Sequence, residues 1–246
     1  MGLLSIFVQF NKKLGDRLSV FDFFKDDDFT EFLVNKIYRI IDTKKPKLIL
    51  EIGGADRPLI EKNSCSYQFY GLDIDKPSCC EMFYDEFMDQ PVEKTISCNF
   101  DLIVSKSLLE HTEDNKQVLD NLYSCLKPKG MMVHYIPSKY HPYSTILRIV
   151  GPKLQLKIIK SLRPWALPLS GYRAYFSYCS PGQMKRLLKD VGFVNIEITT
   201  FYGAKDYFKF FLPLFVLIAL YDNIMRVLPY DFGASGFLLY CEKPGV

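Results

Sequence analysis

The sequence predicts an α/β fold with a mainly parallel sheet and helices on both of its faces. Short apolar runs alternate with stretches of helical periodicity along most of the chain, which is the order of elements in parallel sheets. The 246 residues are 48% hydrophobic, enough for a sizeable core. We expect a single domain over residues 1–246, with an N-terminal helical extension (1–45) and two inserted elements (138–179 and 203–233).

The first half of the chain supplies most of the predicted sheet. Residues 29–42 form a predicted helix that Thr30 caps, because apolar residues recur there at helical spacing. Apolar runs at 47–52, 67–73 and 101–105 predict buried strands. A helix over 115–126 ends at the Lys-Pro-Lys-Gly stretch 127–130, and a strand follows over 131–136.

The second half continues the same alternation. Ser180 is the expected cap of a helix with Pro181 at its first position, and Gly192 is expected to end it. Strands are predicted over residues 194–199 and 237–241. More than forty residues separate the strand at 131–136 from the helix at 181, too many for a simple connection.

The carboxyl ends of the first two strands carry the residues that indicate a ligand site. Gly53, Gly54 and Ala55 directly follow the first strand, where small residues let a ligand approach the backbone closely. Asp73 ends the second strand, where a carboxylate can accept hydrogen bonds from both ribose hydroxyls. Glu51 disfavours a pyrophosphate and suits a cationic ligand. Ala55 and Pro58 replace glycines of the dinucleotide fingerprint, which argues against a dehydrogenase.

Four motifs in this order resemble the class I S-adenosylmethionine (SAM)-dependent methyltransferase family, in particular its type 11-like domains. The resemblance covers roughly residues 30–200 and the last strand. It rests on residues 48–55 (LILEIGGA), 70–74 (YGLDI), 100–105 with 108–111 (FDLIVS and LLEH) and 126–130 (LKPKG). It implies a Rossmann-like fold with a seven-stranded sheet, SAM as cofactor and methyl transfer as the activity.

The resemblance also implies roles for individual residues. Gly53, Gly54 and Ala55 would lie under the methionine part of SAM, and Glu51 would face its amino end. Asp73 would hold the ribose, Ile74 would pack on the adenine, Asp89 would meet the adenine amino group, and Ser105 would close the pocket. The sequence departs from the family at Ala55 and Arg57, where glycines are usual.

A hydroxyl acceptor requires a general base, because SAM supplies only the activated methyl group. His141, just past the fifth strand, is the first candidate base, with Tyr140 in reserve. His111 is a second candidate, and it also fits a role in lining the cofactor pocket. Substrate contacts are expected from Lys139, Tyr143 and Arg173, because cationic side chains suit a phosphorylated acceptor.

Charge and hydropathy suggest where the acceptor is found. Residues 121–189 contain no Asp or Glu but twelve Lys and Arg. Lys153, Lys157 and Lys160 fall on one face of a predicted amphipathic helix, which suits an anionic membrane surface or a lid packed on the domain. The apolar run within 208–221 fits an interfacial helix, an acceptor tunnel, a homodimer contact or a core helix between the last two strands.

Together these observations predict methyl transfer, by O-methylation, to a small-molecule, glycan or lipid-linked acceptor. Two alternatives remain: an RNA methyltransferase that uses the basic segment, and a non-catalytic domain that keeps the fold for interaction. Seven cysteines without metal-site spacing favour reduced thiols. The N-terminal segment has no signal-peptide pattern. We therefore expect a cytoplasmic protein, in peripheral contact with the inner face of a membrane.

Overall fold

The computed structural model describes residues 3–63, 65–94, 96, 99–162 and 172–245. Its helices are α1 (Leu3–Leu18), α2 (Phe29–Lys44), α3 (Cys80–Phe83), α4 (Asn115–Ser124), α5 (Pro142–Leu162), α6 (Pro181–Val191) and α7 (Leu212–Val227). Its strands are β1 (Leu48–Ile52), β2 (Gln68–Asp73), β3 (Glu86–Asp89), β4 (Phe100–Lys106), β5 (Leu126–Pro137), β6 (Val194–Phe201) and β7 (Gly236–Glu242). Short 3-10 turns lie at Asp22–Phe24, Lys205–Phe208 and Asp231–Gly233.

The strands form one seven-stranded sheet in the order β3-β2-β1-β4-β5-β7-β6. The pairs β1–β2, β1–β4, β2–β3 and β4–β5 are all parallel. From β1 the chain proceeds through β2 to β3 on one side, and it then returns to place β4 and β5 on the other side. The strand order therefore reverses between β1 and β4, and ligands of open α/β sheets bind at such a reversal. The predicted fold class is confirmed.

Two helix starts differ in detail from the prediction. Helix α2 is capped by Asp28, whose side chain accepts a hydrogen bond from Glu31 N at 2.9 Å. The expectation that Thr30 is the cap was wrong: Thr30 lies inside the first turn, and its Oγ1 accepts a bond from Lys106 Nζ. Ser180 does precede α6, but its hydroxyl bonds Gln183 Oε1 and no backbone amide of the helix.

The chain divides into two compact units. Unit 1 comprises Met1–Asp27, Ser138–Tyr175 and Thr200–Gly236, and unit 2 comprises Asp28–Pro137, Phe176–Thr199 and Phe237–Val246. Unit 1 thus gathers most of the three segments that the sequence analysis set apart as extension and insertions. Residues 28–45 of the expected extension belong to unit 2, because α2 packs on the sheet there, with Phe29 stacked on Tyr135 of β5.

The core of unit 2 lies along the central strands. Ile49, Leu50, Ile103, Val104 and Val133 are all fully buried, although neighbours along a strand point to opposite faces. A strand covered on both faces reads as a continuous apolar run rather than an alternating one, and this is why the central strands were predictable.

The core of unit 1 is built around Phe208, Phe215 and Ile218, with side chains from α1, α5 and α7 packed against it. Phe24 stacks on Phe215, with ring centroids 5.4 Å apart. Helix α5 is broken at Gly151, whose φ of 70° is not helical, and Pro152 follows it. The break follows from sequence, because proline cannot donate a helical hydrogen bond and its ring clashes with the preceding turn.

Candidate active site

The loop after β1 has a backbone that small residues make possible. Gly53 has φ +79° and Ala55 has φ +45°, and Ser107 after β4 has φ +55°. A Cβ on Gly54 would lie 2.5 Å from both Glu51 Oε1 and the Tyr84 hydroxyl, so a larger residue does not fit. Three left-handed positions thus lie at the carboxyl ends of β1 and β4. Such strained backbone concentrates at functional sites.

Glu51 lies beneath this loop and ties it to the following segment. It is only 1% exposed, and both carboxylate oxygens accept a hydrogen bond from Leu59 N at 3.0 Å. Burial raises the pKa of Glu51 to about 8, and the bond from Leu59 opposes that rise. The Tyr84 hydroxyl is buried nearby, without a hydrogen-bond partner among the described residues. Burial, and then the charge of Glu51, raise the pKa of Tyr84.

Two carboxylates end neighbouring strands beside this loop. Asp73 closes β2 and stands in register with Asp89, which closes β3. Asp73 Oδ1 accepts a hydrogen bond from Asp75 N at 3.2 Å, and burial raises the pKa of this half-buried carboxyl. The next residue, Ile74, is 54% exposed. Acidic side chains beside an open apolar one form a surface suited to a cationic nucleoside.

Ser105 has a different environment from the one expected. It is 1% exposed, and its Oγ lies 2.6 Å from Nδ1 of His134, the residue in register with it on β5. Burial lowers the pKa of His134 to about 3, so the imidazole is neutral at pH 7. The Ser105 hydroxyl is therefore hydrogen-bonded to His134 inside the sheet. This arrangement does not support a contact between that hydroxyl and a cofactor.

The loop after β4 brings Glu110 and His111 together. Glu110 is 4% exposed, and its Oε2 has no hydrogen-bond partner in the part of the chain that the structure describes. Its Oε1 lies 3.7 Å from His111 Nε2, and 35% of the His111 side chain is exposed. Burial raises the pKa of Glu110 to about 8. Sequence reasoning chose His111 and missed Glu110, although the buried acid is part of the LLEH motif.

A second loop locks this pair in place. Phe176 N donates a hydrogen bond to Glu110 O at 3.1 Å. The Asn115 side chain donates to Leu109 O and to Ser177 O, and Thr112 Oγ1 donates to Asn115 Oδ1 at 2.6 Å. The segment between β4 and α4 is therefore anchored on both sides, so the position of His111 is well defined.

His141 has no free nitrogen for a substrate proton. It is fully buried, Nδ1 accepts a hydrogen bond from Tyr143 N at 3.1 Å, and Nε2 lies 2.9 Å from Asp222 Oδ1. Since Nδ1 accepts, Nε2 carries the proton and donates it to Asp222. Asp222 Oδ2 in turn accepts from Ala204 N at 3.2 Å. The arrangement is that of a buried structural pair, and it does not support His141 as the general base.

The other predicted acceptor residues also lie in unit 1. Tyr140 is 46% exposed, and Lys139 Nζ lies 5.9 Å from the centre of its ring. Tyr143 stacks on Tyr207 with ring centroids 4.0 Å apart. Arg173 is exposed, with its guanidinium 4.8 Å from the centre of the Tyr175 ring. The glycine loop, Asp73, Asp89 and the Glu110–His111 pair belong to unit 2.

The two departures from the family pattern leave the loop intact. Ala55 keeps the left-handed backbone that a glycine would adopt there. Arg57 N donates to Gly54 O at 2.8 Å, which closes the turn. The Arg57 side chain is 59% exposed and pairs with Asp56, so it extends into solvent.

Parallel strands carry a glycine turn and an acidic strand end beside the point where the strand order reverses. These features define a nucleoside-binding α/β protein. A family profile described as a methyltransferase domain matches residues 26–198. The chain therefore belongs to the methyltransferase-domain family. No protein of curated function matches the sequence.

Solved structures agree on the fold. A SAM-dependent methyltransferase from Archaeoglobus fulgidus is similar with a TM-score of 0.54 and 17% identity, over 87% of this chain and 94% of that one. Phosphoethanolamine N-methyltransferase 2 from Haemonchus contortus, solved with SAM, has a TM-score of 0.53 and 13% identity over 87% of this chain. The chain spans only 52% of that protein. NodS from Bradyrhizobium japonicum, an N-methyltransferase solved with S-adenosylhomocysteine, has a TM-score of 0.51 and 15% identity over 95% and 98% of the two chains.

The cofactor of the family is SAM, and the residues present fit it. The half-buried carboxylate of Asp73 suits a ribose, and Ile74 offers an open apolar surface for an adenine. The left-handed turn at Gly53 and Ala55 allows close approach to the backbone. The acidic side chain of Asp73, at the end of the neighbouring strand, complements a sulfonium cation.

Proposed function

We propose that the protein methylates a hydroxyl group of a small-molecule, glycan or lipid-linked acceptor, with His111 as the base. The observation that carries this proposal is the accessible His111 beside the buried carboxyl of Glu110. All three histidines of the chain lie in the described part, and His134 and His141 are fully buried. His111 alone has an exposed side chain, 35% of it.

The cofactor residues support a position for His111 near the reacting groups. A Cβ on Gly53 would lie 3.0 Å from Leu108 Cδ1, so the loops after β1 and β4 are in contact. In this proposal Asp73 holds the ribose, Asp89 the adenine amino group and Ile74 the adenine face. The backbone at Gly53–Ala55 lies under the methionine part.

When bound, SAM supplies a methyl group that its sulfonium already activates. A hydroxyl oxygen that gains this methyl group must lose its proton. The His111 imidazole accepts that proton, and Glu110, whose Oε1 lies 3.7 Å from His111 Nε2, stabilises the resulting imidazolium when its carboxyl is ionised. An amine acceptor needs such a base less, so dependence on His111 distinguishes O-methylation from N-methylation.

The test begins with cofactor-free protein. Calorimetry with SAM and S-adenosylhomocysteine establishes binding, and labelled SAM is then offered with hydroxyl, amine and RNA acceptors. His111→Gln should lower kcat for a hydroxyl acceptor by about 10²–10⁴-fold and leave the Kd for SAM unchanged. Glu113→Gln, an exposed change in the same loop, is the matched control.

Three results would count against the proposal. Full activity of the His111 variant would show that His111 is not the general base. Methylation of amines alone, or of RNA alone, would show that the acceptor is an amine or RNA and not the proposed hydroxyl compound. A protein that binds neither SAM nor S-adenosylhomocysteine would be an interaction domain that keeps only the fold.

A further inference from the structure

We propose that unit 1 docks on an anionic lipid bilayer through an apolar face centred on α7, which lies in the headgroup–acyl boundary. This inference rests on the proposed function for the nature of the acceptor, since a lipid-linked substrate is met at such a surface. Its physical basis is separate: the exposed side chains and charges of unit 1.

Helix α7 is apolar on the side that faces away from the core. Phe215, Ile218, Ala219 and Asp222 are buried on one side of it. The other side carries a stripe at helical spacing with exposures of 37% to 81%: Val216, Leu217, Leu220, Ile224 and Val227. Surface helices of globular proteins present polar residues there. A contiguous exposed apolar patch of this kind marks an interaction site.

Exposed apolar side chains also lie next to α7, in residues 21–23 and in the segment that follows the helix. Asn223, at the edge of the stripe, donates a hydrogen bond from its side chain to Phe23 O at 2.8 Å. Phe21 and Phe23 are 61% and 44% exposed. Exposed residues also follow the helix. We define the α7 face as Phe21, Phe23, Val216, Leu217, Leu220, Ile224, Val227, Leu228, Tyr230 and Phe232.

Exposed apolar side chains are concentrated in unit 1. Among the described residues, 21 of the 27 exposed large hydrophobic side chains belong to it. Unit 2 is the larger unit and has only six of them. Scattered exposed apolar residues are normal on any protein, so the uneven distribution is what requires a partner.

The charge of unit 1 identifies that partner. Unit 1 has 14 Lys and Arg against 7 Asp and Glu, whereas unit 2 has 17 against 21. On α5, Lys153, Lys157 and Lys160 are exposed, and so are Leu154 and Ile158 at 50% and 39%. Apolar side chains of this basic helix are therefore exposed. Exposed basic and apolar side chains on one helix suit an anionic membrane surface.

Helix α1 has the same character. Ile6 and Phe10 are 54% and 65% exposed, and Lys13 and Arg17 continue along the same stripe at helical spacing. No helix among the described residues is long and apolar enough to cross a membrane. The geometry fits helices that lie along an interface.

A bilayer fits this face better than a second copy of the chain. In a two-fold dimer the same face meets itself, so two units with excess positive charge would be brought together. Anionic headgroups instead neutralise the Lys and Arg side chains while the acyl boundary receives the apolar stripe.

The experiment uses the full-length protein and vesicles of phosphatidylcholine, with and without phosphatidylglycerol. Co-sedimentation at low salt should occur with the anionic vesicles and weaken as salt is raised. The triple change Lys153→Gln, Lys157→Gln and Lys160→Gln should reduce binding by about 100-fold, since each cation contributes about 1 kcal/mol near such a surface.

The apolar contribution is tested separately. Leu217→Gln together with Leu220→Gln should weaken binding even at low salt. Met82→Gln, which changes a side chain 70% exposed in unit 2, is the matched control and should bind as the parent does. Fluorescence quenching by lipids labelled in the acyl chain, read from a probe placed at position 217, should report insertion.

Two results would overturn the inference. One is no sedimentation with anionic vesicles at low salt. The other is a concentration-dependent dimer in light scattering that the Leu217 and Leu220 changes abolish, since the face would then be covered by a second copy. SAM affinity and methylation of a soluble acceptor are measured on the same variants. If the parent protein fails to bind anionic vesicles while SAM affinity and methylation are intact, only docking is contradicted. If methylation is absent while vesicle binding is intact, only the proposed reaction is contradicted.

Discussion

Asp73→Asn removes one charge from the site and changes its shape very little. In the structure the Asp73 carboxyl accepts hydrogen bonds from the backbone amides of Ile74 and Asp75, and its remaining lone pairs are available to ribose hydroxyls. A hydrogen bond to a charged acceptor contributes about 1.5–3 kcal/mol. We therefore expect SAM to bind about 10–150-fold more weakly to this variant. The truncation Asp73→Ala should weaken binding at least about tenfold.

The assay is calorimetric titration of cofactor-free protein with SAM and with S-adenosylhomocysteine. Both ligands should lose affinity by a similar factor, because they share the ribose. Asp75→Asn is the matched control: it changes an exposed carboxyl two residues away and keeps the backbone amide that Asp73 accepts from. An affinity of Asp73→Asn within about twofold of the parent, less than half a kcal/mol, would refute the assignment of Asp73 to the ribose.

Three further changes test other parts of the structure. Burial raises the folded-state pKa of Glu110 from 4.5 to about 8, so the stability contributed by its protonated form is fully present below about pH 4.5 and is lost as the pH rises through 8. Glu110→Gln should remove this loss and be more stable than the parent at pH 9, by up to about 5 kcal/mol in urea unfolding; equal pH profiles would contradict it. Asp222→Ala leaves the buried Nε2–H of His141 and the amide of Ala204 without an acceptor and should cost about 2–6 kcal/mol, at about 1–3 kcal/mol for each donor, with SAM affinity unchanged; a large loss of affinity would mean that the pair acts in binding. Ala55→Gly relieves a left-handed alanine and should raise Tm by about 1–4 °C in calorimetry, and a lower Tm would show that the turn is unstrained.

The residues expected to hold the cofactor could be predicted from the sequence because they depend on neighbours along the chain. A buried strand, a turn of small residues and an acid at the next strand end are local patterns. Parallel strands then bring their carboxyl ends to the same edge of the sheet. Only the surroundings of Glu51, namely the hydrogen bond from Leu59 N and the nearby Tyr84 hydroxyl, needed the folded chain.

The roles of residues that depend on long-range contacts could not be predicted in the same way. The His141–Asp222 pair joins residues 81 positions apart, and the fold alone decided that both histidine nitrogens are occupied. The register of β4 with β5 placed the Ser105 hydroxyl against His134 inside the sheet. Strand β3 escaped prediction because its four residues are exposed or half-exposed and show no buried apolar run.

The sequence by itself determined most of the strands and helices, the glycine turn, the acid at residue 73 and the methyltransferase family. The tertiary structure alone decided which side of α7 meets the core. Residues 212–221 of this helix are uncharged on every side, so periodicity cannot distinguish the buried side from the exposed one there. Burial is a property of what packs against a surface, and only the folded chain supplies that partner.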